Sequence, residues 1–460
     1  MSRLCSSCVC IALLAFTSAT HSAPPSVVQT VPAHGQTGVS PELAEIRVTF
    51  DQDMQVGGYS FCGGGAKYPK VTGQPRWLDA RTCVLPVALE PDHDYNLSIN
   101  CAAGAGFRSA ATGEVVPSTP LVFTTRTLPP VPRELQSAAV QALRKAIDER
   151  YSYRDLRGVD WDALFAERAA AMEAAPDVFA FATAAAAMLG AAQDVHIVAT
   201  ARAPGETGDG TVFPAFQRSV HVNFNGRIID KVIPGAARLN DAVVTGRIAV
   251  PGGAGDIGYI LFPTWDRSRA DMILAARNAI RDMQNSGVAA LIIDVRPNGG
   301  GDEAIARQIA GCFIHRPYVY SRSLIRNPDE PDGWSGPFDR VVEPGPAEFG
   351  FTGSVAVLIG KGCMSSNESF VLMMKSAGAT LIGESTYGAS GNPKPTDLGN
   401  GVTVLLPSWQ DLDPAGVCIE GKGVPPDVPV ETRPQDFQSS DPVLSRAIQL
   451  MRERVGASAP

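Results

Sequence analysis

The sequence lacks three features that would each point to a class of function. It has no excess of positive charge, because its formal net charge at neutral pH is −8. A chain without a cationic field does not hold a phosphate backbone, so nucleic acid is not an expected partner. After the first two dozen residues, no apolar run is long enough to cross a bilayer. The residue pattern also implies neither a metal nor an organic cofactor.

Cysteine is scarce, with nine residues in a chain of 460. Three of them, at positions 5, 8 and 10, lie in the N-terminal stretch. The six others are Cys62, Cys83, Cys101, Cys312, Cys363 and Cys418. No CxxC pair or Cys/His metal spacing occurs among these six, so a zinc site or a redox motif is not predicted. We expect two disulfides within domains and two free thiols, and the spacing leaves the pairing open.

The N-terminus has the layout of a secretory signal peptide. Arg3 precedes an apolar stretch from Val9 to Phe16, and small residues at Thr17–Ala19 and Ser22–Ala23 offer cleavage sites. We therefore expect residues 1–23 to be removed and the protein to be exported, either to a periplasm or out of the cell. Asn367-Glu-Ser369 matches the N-glycosylation sequon, but a glycan on Asn367 would lie on the turn that carries the candidate nucleophile Ser365. We therefore favour a bacterial envelope as the location.

Two patterns divide the first half of the mature chain. Residues 24–126 contain short alternating runs such as Ile46–Phe50 and Leu121–Thr125 between polar turns, which is typical of a β-sandwich. A Pro-rich linker follows, and the apolar period then changes from 2 to 3.6. Residues 127–200 are predicted to hold three helices, at Glu134–Arg150, Trp161–Glu173 and Pro176–Leu189.

The second half predicts an α/β core. Residues 201–256 are Gly-rich, with strand-like runs at Ser219–Phe224 and Arg227–Val232, and we expect a small β-rich connecting segment there. Strands alternate with helices over residues 257–435, which predicts a mainly parallel sheet with its ligand site at the carboxyl ends of the strands. Residues 436–460 are expected to form a C-terminal helix and tail.

Two turns at predicted strand ends carry the chemistry. The stretch Lys361–Glu368 follows an apolar strand and opens a helix, so Ser365 is either an exposed nucleophile or a simple helix cap. The turn Asn298–Gly301 exposes backbone N–H groups, which suits a phosphate loop or an oxyanion hole. It lacks the G-x-G-x-x-G and G-x-x-x-x-G-K-[ST] spacings, which disfavours a nucleotide.

Together these residues resemble a known family. The motifs are Asp194–His196, Asp294–Gly301, Ser365–Glu368, Gly383–Gly388 and Glu420–Asp427. Their order and approximate spacing are similar to those of the C-terminal processing (tail-specific) serine peptidases, over residues 134–432. The resemblance implies an α/β core of the crotonase/ClpP-like kind.

The first domain resembles the bacterial Ig-like domains. Its matching runs are Val31–Val39, Phe50–Met54, Leu89–Tyr95 and Phe123–Thr125. This resemblance implies a spacer or binding module without chemistry of its own.

The peptidase resemblance assigns roles. Where one branch of the family has its catalytic lysine this chain has Ala389, so the resemblance favours the tricorn-like and retinoid-binding-protein-like branch, which uses histidine. Ser365 would be the nucleophile, His196 its base in place of a merely structural histidine, and Glu420 the acid that orients the base. The family's serine before the histidine is replaced by Val195, so Asp194 and Glu384 are alternative orienting acids.

The oxyanion hole would consist of the N–H of Gly300 or Gly301 and that of Ser366. The expected function is that of an exported serine peptidase acting on peptides or proteins. Two alternatives stay open: a non-catalytic ligand- or peptide-binding protein on the same fold, and an esterase or amidase for small substrates.

Overall fold

The structure is a computed structural model that describes residues 24–457, apart from residues 102–103, 105, 204–209, 218–219, 241–242 and 270. The predicted signal peptide, residues 1–23, lies outside the described residues. After Leu128 the chain divides into two compact units, which are considered separately. Within the described ranges no helix is both long and apolar enough to cross a membrane.

The first unit is a β-sandwich, as predicted. Its strands are β1 Val27–Val31, β2 Gln36–Val39, β3 Glu45–Phe50, β4 Phe61–Cys62, β5 Lys70–Val71, β6 Arg76–Trp77, β7 Thr82–Ala88, β8 Asp94–Ile99 and β9 Thr119–Thr125. One sheet has the order β1-β3-β7-β5, with β6 also paired to β7, and the other has the order β2-β9-β8-β4. Alternation buries Ile46, Val48 and Phe50 of β3 while the residues between them face outward, which is the pattern of a strand with one buried face.

One disulfide forms among the six described cysteines, so the expectation of two is wrong. Cys62 on β4 bonds Cys101, with their Cα atoms 6.2 Å apart. Cys83, Cys312 and Cys363 are buried in the packed interior as free thiols. Burial raises the pKa of the Cys83 thiol to about 12 and that of Cys312 to about 11, so both behave as small apolar groups.

The second unit contains eight helices within the described residues. They are α1 Arg133–Arg150, α2 Trp161–Glu173, α3 Val178–Leu189, α4 Gly226–Val232, α5 Asp271–Asn285, α6 Glu303–Ala310, α7 Ser366–Ser376 and α8 Pro442–Ala457. The three predicted N-terminal helices are α1 to α3. Asp160 caps α2 by accepting the Ala163 N–H, and Asp177 caps α3 in the same way, which fixes where each helix begins.

The strands of the second unit form three sheets. They are β10 Val198–Ala201, β11 Thr211–Pro214, β12 Ala237–Asn240, β13 Val243–Ile248, β14 Asp256–Leu261, β15 Val288–Asp294, β16 Tyr318–Arg326, β17 Trp334–Val342, β18 Ser354–Ile359, β19 Thr380–Gly383, β20 Pro393–Asp397, β21 Val402–Pro407, β22 Gln410–Leu412 and β23 Val428–Pro429. The main sheet has the order β12-β13-β14-β15-β18-β19-β23, and its last five strands are parallel. The smaller sheets are β11-β10-β21-β20 and β17-β16-β22.

The segment 201–256 differs from the prediction in three respects. The run predicted as a strand at Ser219–Phe224 forms no strand over its described residues, 220–224. The run Arg227–Val232 is helix α4, not a strand, because Ile228 and Ile229 pack into the interior and Asn225 caps the first turn. Strands β12 and β13 are the edge strands of the main sheet, since β12 pairs with β13 and β13 pairs with β14. The sheet therefore continues across residue 257, where we expect the α/β core to begin. The β-branched residues favoured a strand locally, and tertiary packing overrides that preference.

Helices cover both faces of the main sheet. Leu291 and Ile293 of β15 face a core that includes residues of α5, α6 and α7. Ala290 and Ile292 point to the opposite face and pack with residues of α4 and α8. A parallel sheet buried on both faces leaves its strand ends as the place where polar groups meet, as in other α/β folds.

A buried ion cluster joins the end of β15 to the start of α8. The Arg296 guanidinium donates to the carboxylates of Asp294 and Asp441, and all three side chains are fully buried. Arg296 also donates to the backbone carbonyl of Asn223 at 2.8 Å. Removing one member of such a cluster leaves uncompensated charge in the interior.

We therefore predict that Arg296→Met destabilises the second unit by about 3–5 kcal/mol, because two buried carboxylates lose their counter-charge. Urea unfolding of the full chain measures this as a lower transition midpoint. Arg247→Met is the control, since Arg247 pairs with Asp256 at the surface and should change stability by less than about 1 kcal/mol. Equal midpoints for the two variants would show that the cluster does not stabilise the fold.

Candidate active site

Ser365 lies between β18 and α7 in a strained backbone conformation. Its φ is 56° and its ψ −131°, a backbone conformation that residues other than glycine rarely adopt. This conformation costs about 1–3 kcal/mol of stability, so it persists only where the surrounding structure holds it. Although Ser365 occupies the N-cap position of α7, its side chain makes no capping hydrogen bond. The hydroxyl is therefore not a helix cap, and it faces a cavity instead.

The two residues after Ser365 tie the start of α7 to the glycine turn and to the end of β15. The Ser366 hydroxyl donates to the Gly301 carbonyl at 2.9 Å. The buried Asn367 amide donates to the carbonyls of Val295 and Asn298 at 3.0 and 2.9 Å. These bonds fix the position of Ser365 relative to the end of the neighbouring strand.

Glu368 holds the loop on the other side. Its fully buried carboxylate accepts the Thr386 hydroxyl at 2.5 Å and the N–H groups of Gly388 and Ala389 at 2.8 and 2.9 Å. The Ala389 carbonyl in turn accepts the Ser365 N–H at 2.7 Å. Burial raises the pKa of Glu368 to about 7, although the three donors oppose the shift. The side chain therefore orients the loop that supports Ser365.

The glycine turn approaches the nucleophile closely. A Cβ on Gly300 would lie 2.9 Å from the Cβ of Ser365, and one on Gly301 would lie 2.4 Å from the Trp265 carbonyl oxygen. Both glycines also have positive φ, 106° and 132°, so no other residue fits without strain.

The backbone donors at this turn differ from the prediction for Gly300. Its N–H donates to the Asn298 side chain at 2.9 Å and is therefore occupied. Gly301 forms a parallel β-bridge with Trp265. In this bridge the Gly300 carbonyl accepts the Trp265 N–H and the Trp265 carbonyl accepts the Asp302 N–H, so the Gly301 N–H takes no part in it. The Ser366 N–H stands in the first turn of α7, where a helix offers no backbone acceptor. The pair of available donors is thus Gly301 and Ser366.

A cavity of about 850 Å³ brings most of the predicted site together. Its lining includes Ser365, Ser366, Gly301 and His196, whereas Gly300 and Glu420 are not part of it. The lining also includes residues that sequence reasoning missed, among them Ser369, Arg340, Trp409, Asp411 and Glu303. Ser369 alone had a signal, because it lies one helical turn after Ser365.

His196 is held by the acid two residues before it. The Asp194 carboxylate accepts the His196 backbone N–H at 2.9 Å and lies 3.9 Å from the ring Nδ1. Its other oxygen accepts the Tyr151 hydroxyl at 2.9 Å. Burial lowers the pKa of His196, and the nearby Asp194 charge opposes that shift. The imidazole is accordingly neutral at pH 7 and able to accept a proton.

Glu420 does not orient His196 in this structure, contrary to the prediction. Its buried carboxylate accepts the Ser390 N–H at 2.8 Å and an Arg157 side-chain donor, and no contact joins it to His196 among the described residues. Burial and the Asp194 charge raise its pKa, while Arg157 opposes them. Glu384, the other alternative, accepts the Thr432 hydroxyl. Asp194 is thus the acid beside the imidazole.

Comparison with protein-family models finds two matches. Residues 256–430 match the model of peptidase family S41, and residues 21–125 match that of a bacterial Ig-like domain. The order of the two domains is the one that the sequence motifs predict.

Curated relatives match part of the chain. It is 25% identical to the carboxy-terminal processing protease CtpB of Bacillus subtilis, over 41% of this chain and 36% of that protein. It is 31% identical to the chloroplastic C-terminal processing peptidase of Tetradesmus obliquus, over 43% and 40%. The chain therefore spans well under half the length of these relatives.

Solved structures share the fold. A Parabacteroides merdae protein gives a TM-score of 0.59 at 21% identity, over 71% of this chain and 99% of that one. A CPAF mutant gives 0.50 at 12% identity, over 70% and 97%. At these identities the likeness extends to the architecture alone.

The raised pKa of Glu368 predicts a pH dependence of stability. The folded chain keeps the carboxyl proton to about pH 7, whereas the unfolded chain releases it near the ordinary value of 4.5. The contribution of this group to the free energy of unfolding therefore falls as the pH rises between these values and is constant above them. The fall amounts to about 3 kcal/mol.

Glu368→Gln should remove this fall, because the amide does not titrate. Urea midpoints of wild type and variant at pH 5 and pH 8 measure the difference. The exposed Glu348→Gln should follow the wild-type curve. Parallel curves for wild type and Glu368→Gln would contradict the assignment of a raised pKa to this carboxyl.

Proposed function

We propose that this chain, which joins a bacterial Ig-like domain to a peptidase family S41 domain, is a serine peptidase that works through an acyl-enzyme. The observation that carries the proposal is the convergence of three groups on one cavity. These are the Ser365 hydroxyl, which makes no capping hydrogen bond, the neutral His196 imidazole, and the N–H pair of Gly301 and Ser366. The names of the curated relatives support peptide or protein substrates.

The geometry supports a sequence of proton transfers. The Ser365 oxygen attacks the carbonyl carbon of the substrate, and His196 takes the hydroxyl proton. The tetrahedral oxyanion rests on the N–H groups of Gly301 and Ser366, where losing one donor would cost about 3–4 kcal/mol of barrier. His196 then gives its proton to the leaving amine. Water repeats the steps to release the acyl group, so that the enzyme is restored.

We further propose that Asp194 stabilises the imidazolium that forms in these steps. Its carboxylate is buried, lies 3.9 Å from Nδ1 and is fixed by two other donors, so its charge is already oriented before the reaction. Glu420 takes a supporting role in this account, since it holds the Ser390 loop at the cavity wall with the help of Arg157.

We also propose that the protein acts outside the cytoplasm, in a periplasm or as a secreted enzyme. The Cys62–Cys101 disulfide supports this setting, because such bonds persist in oxidising compartments. The N-terminal basic and apolar pattern is consistent with export.

A fluorophosphonate probe tests the nucleophile. We expect wild type to be labelled at Ser365 and Ser365→Ala to lose labelling, because the probe requires an activated hydroxyl. Ser366→Ala is the comparison variant: it keeps the nucleophile and its own backbone N–H but loses the hydroxyl bond to Gly301, so it should still be labelled, at a reduced rate. Undiminished labelling of Ser365→Ala would place the nucleophile at another residue, whereas absence of labelling in wild type would favour a binding protein; either result refutes the mechanism.

Substitution of the two buried acids tests the base. Asp194→Asn should lower kcat/KM by about 10³- to 10⁴-fold, as loss of the acid does in a serine triad. Activity requires neutral His196, so it should rise with pH through a midpoint below 6.5. Without the Asp194 charge that midpoint should move lower still.

Glu420→Gln should affect the pH midpoint less than Asp194→Asn, because it is not in contact with the imidazole. Rates on one fluorogenic peptide from pH 4.5 to 8.5 give both quantities. A larger shift for Glu420→Gln than for Asp194→Asn would reverse the assignment of the two acids.

A further inference from the structure

The cavity that contains Ser365 has a charged wall that the proposed mechanism does not use. It is formed by Arg340 at the end of β17, Asp411 on β22 and Glu303 at the start of α6. The side chains of Arg340 and Asp411 are only 12% and 3% exposed. Groups with this degree of burial interact more strongly than surface charges.

Arg340 has no terminal donor left for a substrate. Its Nη1 donates to Asp411 Oδ1 at 2.7 Å and to the Ser321 hydroxyl at 3.3 Å. Its Nη2 donates to the Ser369 hydroxyl at 3.1 Å and to a Glu303 oxygen. The rings of Tyr320 and Trp409 lie 5.2 and 5.0 Å from the guanidinium carbon. A substrate carboxylate would have to displace one of these bonds, so the wall does not suit an anion.

Asp411 does have an unused oxygen. Oδ1 accepts Arg340 and the Ser321 hydroxyl, whereas Oδ2 accepts no hydrogen bond from any part of the chain that the structure describes. Two carboxylates, those of Asp411 and Glu303, face the single guanidinium of Arg340, so the cluster carries one excess negative charge. Arg267 and Asp302, which also line the cavity, pair with each other and so balance in charge.

This excess charge lies next to the nucleophile. Ser369, in the first half of α7, lines the same cavity as Ser365. The bond from Arg340 to Ser369 attaches the cluster to this helix. Trp409 adds apolar ring surface to the same cavity, against which the methylene stem of a long cationic side chain could pack.

We infer that Asp411 is the specificity-determining residue of a subsite for a lysine or arginine side chain of the substrate, beside the bond that Ser365 attacks. A cation at Oδ2 would complete the charge balance of the wall and satisfy the remaining acceptor. An uncharged side chain would leave the negative charge of the wall unbalanced, and an apolar one would also leave Asp411 Oδ2 without a hydrogen-bond donor. The inference rests on the proposed peptidase function and adds a substrate class to it.

Two positional peptide libraries test this subsite with the wild-type chain alone. They differ only in one fixed residue, lysine in the first and N-acetyllysine in the second, and cleavage positions are read by mass spectrometry. We expect cleavage next to the fixed lysine at about 10- to 100-fold higher kcat/KM than next to acetyllysine, because acetylation removes the charge and keeps the stem. Equal rates would overturn the inference.

Asp411→Asn then assigns the preference to one residue. The variant should lose most of the lysine preference, because cleavage of the lysine peptides becomes slower while the acetyllysine peptides have no charge to lose. Asp339→Asn is the control, since Asp339 pairs with Arg322 at the surface away from the cavity. A lysine preference that survives in Asp411→Asn would contradict the assignment.

Labelling by an uncharged fluorophosphonate separates the possible failures. A wild-type chain that neither labels nor cleaves refutes the peptidase proposal and the subsite with it. A chain that labels and cleaves without regard to lysine charge refutes the subsite alone. Labelling of Asp411→Asn at the wild-type rate shows that its site is folded, so that a lost preference reports on the carboxylate.

Discussion

The buried first turn of α7 is the constraint on which the site depends. Asn367 and Glu368 are fully buried there, and each satisfies its polar groups with a different strand-end loop. Buried polar side chains that are fully bonded fix one arrangement, because every alternative leaves a donor or acceptor without a partner. The turn therefore sets the distance between the β15 end, the Thr386–Ala389 loop and Ser365. The strained backbone of Ser365 is held by these bonds rather than by its own preference.

The same arrangement would let the proposed chemistry proceed with little movement. The loop after β15 can approach Ser365 only because Gly300 and Gly301 lack side chains. On the other side of the cavity, His196 lies in the turn before β10. The Asp194 carboxylate accepts the His196 backbone N–H and the Tyr151 hydroxyl, and it lies 3.9 Å from the ring Nδ1. A charge that is already in place pays no reorganisation cost as charge develops on the ring, which would favour the proposed acyl transfer.

Sequence reasoning went furthest where local patterns and ordered motifs agree. It predicts the β-sandwich, the three N-terminal helices and the α/β core, and it pairs Ser365 with His196, two residues that line one cavity in the structure. It was wrong for Arg227–Val232, where the choice between strand and helix depends on packing that lies outside the segment. It favoured Glu420 over Asp194 because family spacing outweighed local geometry. Arg340 and Asp411 carried no signal, because they are single residues on β17 and β22 that meet only after the third sheet has formed.

If Ser365, His196 and the N–H pair of Gly301 and Ser366 form one reaction centre, a crystal structure of the chain after reaction with a fluorophosphonate will show all of them around the adduct. We expect phosphorus bonded to the Ser365 oxygen, with the phosphoryl oxygen about 2.7–3.1 Å from both N–H groups and His196 Nε2 within hydrogen-bond reach of the adduct. An adduct on another residue, or a phosphoryl oxygen turned away from Gly301 and Ser366, would contradict this arrangement.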